Sequence, residues 1–224
     1  MSTSLAVYDT HENLLQSAKD GLTTCAVLCD LSKAFDTIDH DILLWKLDTF
    51  YGIRGLPLKL LASYLQGRQQ YTVVGDYRSS MLDITQVVPQ GSSRGSLLIA
   101  LCVNFAKASA FNSTLFSDDT VLSISSGNCI ELQKLVNTEL QKVDEWMRFN
   151  KLPLNYSKTS YMFIGPRGKR LHDFTVKIND NTISQTSSTK YLGVYIDDNS
   201  LGQTTTLRKL SRVVLEFSIE LYTI

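Results

Sequence analysis

Apolar residues recur along this chain at two spacings, and the spacings sort its segments into helices and strands. Residues 11–20 put Leu14, Leu15 and Ala18 on one side of a predicted helix, and the apolar run from Thr23 to Asp30 predicts a buried strand. Asp39 is placed to cap a helix that carries Ile42, Leu43, Trp45, Leu47 and Phe50 and ends at Gly52. After Gly55-Leu56-Pro57 a second helix carries Leu60, Leu61, Tyr64 and Leu65. Residues 69–75 and 81–88 alternate apolar with polar, which predicts a strand pair joined through Gly75-Asp76-Tyr77. A helix is expected from Gly91 toward Ala108, then a hairpin over 112–126. Leu132, Leu135, Val136, Leu140, Val143, Trp146 and Met147 keep a 3.6-residue period and predict the clearest helix of the chain. Strands are predicted at 159–164, 174–178 and 190–196, a basic turn at 165–172, and a helix over the last twenty residues. Trp45 and Trp146 are expected in the core. Helices and strands mix without regular alternation, so the predicted class is α+β, an antiparallel sheet with helices packed on one face.

The chain has 224 residues, enough to bury a core without covalent staples. Its 22 basic and 22 acidic residues balance, which argues against disorder and against a membrane protein. The balance hides an asymmetry. Residues 1–50 hold eight acids against three bases, whereas residues 148–212 hold eleven bases against four acids. Such a division suits a cation site beside a polyanion track, although chance clustering on solvated faces gives the same counts. Cys25, Cys29, Cys102 and Cys129 form no Cys-x-x-Cys pair and the histidines lie far apart. That argues against zinc and against a disulfide framework. No basic start precedes an apolar core at the N-terminus, and the run from Leu97 to Ala106 is too short to span a bilayer. The expected location is intracellular, in nucleus or cytoplasm, with no membrane partner and no secretion.

The chemistry concentrates in carboxylates. Asp118 and Asp119 fall at the tip of the predicted 112–126 hairpin, and Asp30 ends the buried strand. Between them Val88-Pro89-Gln90-Gly91 breaks a strand and opens a helix. Three carboxylates converging on a sheet are the oxygen donors a two-metal phosphoryl-transfer site requires. Each feature has a plainer explanation when taken alone. An Asp-Asp pair is a turn, a strand-end Asp is a local cap, Pro-Gln-Gly is a turn and Lys158 is a surface lysine. Asp36 and Asp39 are assigned to capping and solvent, and His40 between Asp39 and Asp41 to the start of its helix.

The joint order of the motifs carries more than any one of them. Asp30-Leu-Ser-Lys-Ala-Phe-Asp-Thr-Ile-Asp-His-Asp-Ile-Leu-Leu44, Val88-Pro-Gln-Gly-Ser92, Phe116-Ser-Asp-Asp-Thr120, Leu154-Asn-Tyr-Ser-Lys-Thr159 and Tyr191-Leu-Gly-Val194 stand in sequence. Together they resemble the successive motifs of a reverse transcriptase, in the version found in non-LTR retrotransposons, over roughly residues 3–212. The resemblance implies a polymerase-type palm over residues 1–200 and a thumb stub over 201–224. It implies an RNA-directed DNA polymerase, a nucleotidyltransferase using Mg²⁺ (or Mn²⁺), with an RNA template, a DNA primer and dNTP as partners. Asp30, the Leu31 carbonyl, Asp118 and Asp119 would hold metal. Phe35 would gate the sugar of the incoming nucleotide, which Gln90 and Gly91 would contact. Lys158 would donate a proton near the leaving pyrophosphate. Tyr191, Leu192 and Gly193 would position the primer.

The chain departs from that pattern in places. Ser93-Arg94-Gly95-Ser96 puts a charge where the family has a small aliphatic pair, and Asn104-Phe105-Ala106 lacks the family's acid. The space before Asp30 is too short for the basic fingers region that clamps a triphosphate, so the expectation is a palm with weak or no polymerase activity by itself. A non-catalytic nucleic-acid-binding remnant of a retrotransposon, using the basic 148–212 region, is the alternative. A third possibility is a decayed fragment that folds poorly.

Overall fold

The structure is a computed structural model that describes residues 3–31, 36–87, 95, 98, 108–116, 119–165 and 174–197. The chain divides into two compact units, Met1–Leu31, Phe105–Glu145 and Leu154–Ile224 in one, Ser32–Asn104 and Trp146–Pro153 in the other.

The first unit is built on a five-stranded sheet in the order β11-β8-β1-β7-β6. Its members are β1 (Thr23–Asp30), β6 (Asn112–Phe116), β7 (Asp119–Ser126), β8 (Ser160–Ile164) and β11 (Ser184–Gln185). All neighbours are antiparallel except β11 with β8. Central β1 is buried on both faces, with Cys25 and Val27 on one and Ala26 on the other, as its near-continuous apolar run requires. Helix α1 (Thr3–Lys19) covers the Ala26 face: Leu14 joins Ala26, Met162 and Ile164, and Val7 joins Val121 and Tyr191. This helix begins two turns before the predicted residue 11. Val7, Thr10 and Leu14 form its buried stripe, and the polar residue at the centre interrupts the apolar signal. Thr10 belongs there because its hydroxyl donates to the Ala6 carbonyl at 2.9 Å. Helix α4 (Cys129–Phe149) buries Leu132, Val136, Leu140 and Val143 in the predicted register. Its buried Asp144 accepts hydrogen bonds from the Tyr156 hydroxyl and the Asn179 amide, each 2.7 Å. Two short ribbons complete the unit: β9 (Lys177–Ile178) with β10 (Asn181–Thr182), and β12 (Ser188–Tyr191) with β13 (Val194–Asp197). The strand expected at 190–196 is therefore two strands, and the strand expected at 174–178 pairs only over its last two residues.

The second unit holds α2 (His40–Thr49), α3 (Leu56–Leu65) and a ribbon of four short strands, β2 (Gln69–Gln70), β3 (Val73–Val74), β4 (Tyr77–Arg78) and β5 (Leu82–Asp83). The ribbon folds back at Gly75-Asp76, with Val74 paired to Tyr77 and Gln69 to Asp83. Asp39 caps α2, accepting from the backbone N–H groups of Asp41 and Ile42 at 3.0 and 3.1 Å. The expected core place of Trp45 is wrong: its side chain is 56 % exposed, edge-on to Phe50. Helical geometry explains the error. The buried stripe of α2 is His40, Leu43, Lys46 and Leu47, whereas Trp45, two residues from both Leu43 and Leu47, falls on the opposite side. Trp146 is half-buried and carries the Lys46 ammonium 4.2 Å above its ring. On α3 only Leu65 is buried, and Leu60 faces solvent. Gly95 and Leu98 are helical. The rest of the helix expected beyond Gly91, the basic turn expected over 165–172 apart from Gly165, and the expected terminal helix lie outside the described residues.

Among the described residues no helix is long and apolar enough to cross a membrane.

Asp39 also receives the Lys151 ammonium at 2.7 Å, which with the two backbone N–H groups holds its carboxyl below the usual range. A depressed carboxyl pKa contributes stability above the unfolded value near 4 and loses it as pH falls through the folded one. Asp39→Ala is expected to cost about 1–2 kcal/mol at pH 7. Urea denaturation at several pH values should show that deficit shrinking below about pH 4.

Candidate active site

The pairing of β1 with β7 ends on Asp30 opposite Asp119. Directly opposed residues on antiparallel strands project from the same face, with Cβ atoms roughly 5 Å apart. Two carboxylates therefore meet at one corner of the sheet, on the face that α1 covers further along. Lys158 approaches this corner, its Nζ 3.9 Å from the Asp30 carboxylate. Both side chains are largely exposed, so the pair is screened and is worth at most ~1 kcal/mol. The turn that carries Lys158 is fastened to the strand it serves. Asn155 donates its backbone N–H to the Asp30 carbonyl at 2.9 Å, and its own carbonyl accepts from Lys158 and Thr159.

A cleft of about 150 Å³ opens at this corner, lined by Asp30, Asp119, Lys158, Lys190 and Tyr191 among others. Cys29 also borders it, but burial pushes its thiol up to about 12, so it is a neutral packing group. Tyr191 comes from the end of β12 and packs on Val7 and Val121. Burial, foremost, raises its phenol pKa, opposed by the Thr10 hydroxyl and, to a lesser degree, assisted by the Asp119 charge. Among the described residues no hydrogen bond of good geometry serves that phenol. Leu192 and Gly193 make the two-residue turn between β12 and β13, at φ 48 and 86. Positive φ at both central residues is what a twisted hairpin demands, and a leucine there is uncommon.

Of the site residues expected from sequence, Asp30, Asp119, Lys158 and Tyr191 come together at this cleft. Leu31 is buried and bridges to Leu154 beyond the end of β1. Asp118, Phe35, Gln90 and Gly91 lie outside the described residues. Strands β6 and β7 pair up to Phe116 opposite Asp119. Among the described residues no three His, Cys, Asp or Glu side chains form a metal-binding group. The two opposed carboxylates nevertheless fit a hard divalent cation in donor chemistry. Lys190 was missed in the sequence, although it stands directly before Tyr191 and alternation alone would turn it away from the core.

An antiparallel sheet with two carboxylates opposed at one corner is a palm-like arrangement. The model of the family "Reverse transcriptase (RNA-dependent DNA polymerase)" matches residues 2–196, and the chain belongs to that family. The non-LTR retrotransposon branch implied by its motifs is the one its relatives represent. It is 28 % identical over 171 residues to the Retrovirus-related Pol polyprotein from type-1 retrotransposable element R1 of Bradysia coprophila, covering 75 % of this chain and 17 % of that one. It is 29 % identical over 214 residues to a probable RNA-directed DNA polymerase from transposon BS of Drosophila melanogaster, covering 88 % and 22 %. The chain thus spans about a fifth of the length of these curated relatives. Its fold is also that of apo telomerase from Candida tropicalis, with a TM-score of 0.59 at 14 % identity, covering 90 % of this chain and 39 % of the other. Telomerase from Candida albicans gives a TM-score of 0.58 at 13 % identity, covering 90 % and 33 %.

The corner is shaped at some expense to stability, because like charges directly opposed on paired strands repel. Asp30→Asn is expected to leave the fold as stable or to stabilise it by up to ~1 kcal/mol in EDTA. Asp144→Ala should instead cost about 2 kcal/mol, since it removes the two hydrogen bonds that a buried carboxylate accepts from Tyr156 and Asn179. Thermal denaturation of the two variants checks the contrast.

Proposed function

We propose that this chain supplies the palm, over residues 1–200, of an RNA-directed DNA polymerase that adds nucleotides from dNTP to a primer 3′-hydroxyl. The single observation that carries the proposal is the register that opposes Asp30 to Asp119 in a chain whose family model spans nearly all of it. Asp118 stands next to Asp119 in the sequence, which supports reading it as a third carboxylate of the same site.

Asp30, Asp118 and Asp119, with the Leu31 carbonyl, are the groups that would hold Mg²⁺ or Mn²⁺. When bound, such ions lower the pKa of the attacking hydroxyl and neutralise charge on the departing pyrophosphate. The remaining steps fall to the chain's own residues. Lys158 brings a cation to the edge of the carboxylate pair, suited to protonating or neutralising a leaving phosphate oxygen. The Tyr191-Leu192-Gly193 hairpin closes one side of the cleft and would set the primer end against the carboxylates. The stiffness of the Tyr191 ring, wedged between Val7 and Val121, suits it to that task because positioning within about 1 Å governs transfer rates. Gln90 and Gly91 would contact the incoming nucleotide, and Phe35 would pack under its sugar.

Mn²⁺ titration followed by electron paramagnetic resonance tests the site directly. Wild type should bind the ion, and Asp30→Asn or Asp118→Asn should weaken binding at least tenfold. Primer extension on an RNA template, weak at most in this chain by itself, should be abolished in the same variants. Salt-dependent binding of the RNA itself should survive both substitutions. RNA binding with neither ion binding nor extension dependent on Asp30 and Asp118 would make the chain a nucleic-acid-binding remnant and overturn the proposal.

A further inference from the structure

We infer that His40 is a positioning residue that fixes the backbone entering the Val88-Pro89-Gln90-Gly91 segment. The functional part of this inference rests on the reading of Gln90 and Gly91 as nucleotide contacts. The observation behind it is an unusual backbone at Val87. Four described residues other than glycine have positive φ, and Lys151, Asn179 and Leu192 lie at 56, 53 and 48, inside the left-handed helical well. Val87 lies at 103, outside that well. For a β-branched residue this is a strained conformation, one that persists only where the surroundings enforce it.

Two successive residues at the start of α2 do the enforcing. Asp39 forms an isolated antiparallel bridge with Gln86. His40 places its Nε2 2.9 Å from the Val87 carbonyl. A carbonyl only accepts, so Nε2 carries the proton and donates. The imidazole is buried, at 4 % exposure, which shields the bond from competing water. Asp39 is itself held by its cap hydrogen bonds and by Lys151 at 2.7 Å. The histidine therefore stands on a rigid helix end and grips the last carbonyl before the Val88-Gly91 segment. Helix-start chemistry accounts for Asp39; it does not account for an imidazole turned inward onto a strained carbonyl. Strain placed immediately before a ligand-contacting segment is the usual signature of backbone pre-organised for binding.

Hydrogen exchange and nucleotide binding on the full chain test this together. His40→Leu removes the donor, and His40→Gln restores an amide donor near the Nε2 position. In His40→Leu, amide exchange in a peptide covering residues 84–92 should rise about tenfold while the remainder of the chain exchanges as in wild type. Affinity for a fluorescent dATP analogue with Mn²⁺ should fall about tenfold, with primer–template duplex affinity unchanged. His40→Gln should recover both to within about threefold. Should His40→Leu fail to fold, His40→Asn, whose amide falls short of Val87, replaces it. Unchanged exchange over 84–92, or acceleration spread over the whole chain with equal loss of both affinities, overturns the inference. A local exchange response in a chain whose wild type binds no nucleotide would leave the grip of His40 established and reject the nucleotide reading instead.

Discussion

Everything at the carboxylate corner depends on the register between β1 and β7. The ladder runs from Thr23 opposite Ser126 to Asp30 opposite Asp119. It is held chiefly by burial of both faces of β1, to which the exposed Lys158–Asp30 contact at its acidic end adds little. A slip of one residue would turn Cys25 and Val27 toward α1 and carry Asp30 to the far face. The apolar core thus fixes the place of the charged groups, and it does so against their mutual repulsion. A corner of this kind is a poor structural device, and its oxygen donors are of the type a hard cation takes.

The face above that corner is closed by groups that look out of place in a core. Thr10 lies in the buried stripe of α1, Tyr191 is buried with its phenol poorly served by hydrogen bonds, and Ser17 bonds Ser125, which bonds Thr24. Burial keeps the Tyr191 phenol neutral and in place, so the hairpin it belongs to presents a rigid wall to the cleft.

The second unit follows a different logic. Its helix α2 buries a histidine and a lysine and leaves a tryptophan and a phenylalanine in solvent. Both buried polar residues have specific partners: His40 the Val87 carbonyl and Lys46 the Trp146 ring. Satisfied in this way, a polar group can take a core position without the penalty of an orphaned one. The strain at Val87 shows where the unit applies that rigidity.

Much of the architecture was legible from spacing alone. The buried strand ending at Asp30, the Asp39 cap, the long helix through Leu132 and Val143, and the hairpin carrying the acids all follow from local rules of burial, capping and turn geometry. The motif order added the family, because five blocks in sequence restrict the possibilities far more than any single acid. What the sequence could not decide was which residues meet. Helix α1 was cut short because a threonine in its stripe finds its partner only once a helix has formed. Trp45 was misplaced because apolarity does not determine which face of a helix turns inward. His40 was assigned to a helix start because its true partner stands 47 residues away. Local preference acts within a few residues of chain, whereas the opposition of Asp30 to Asp119 and the hold of His40 on Val87 are set by strand register and helix orientation, which only the packed chain defines.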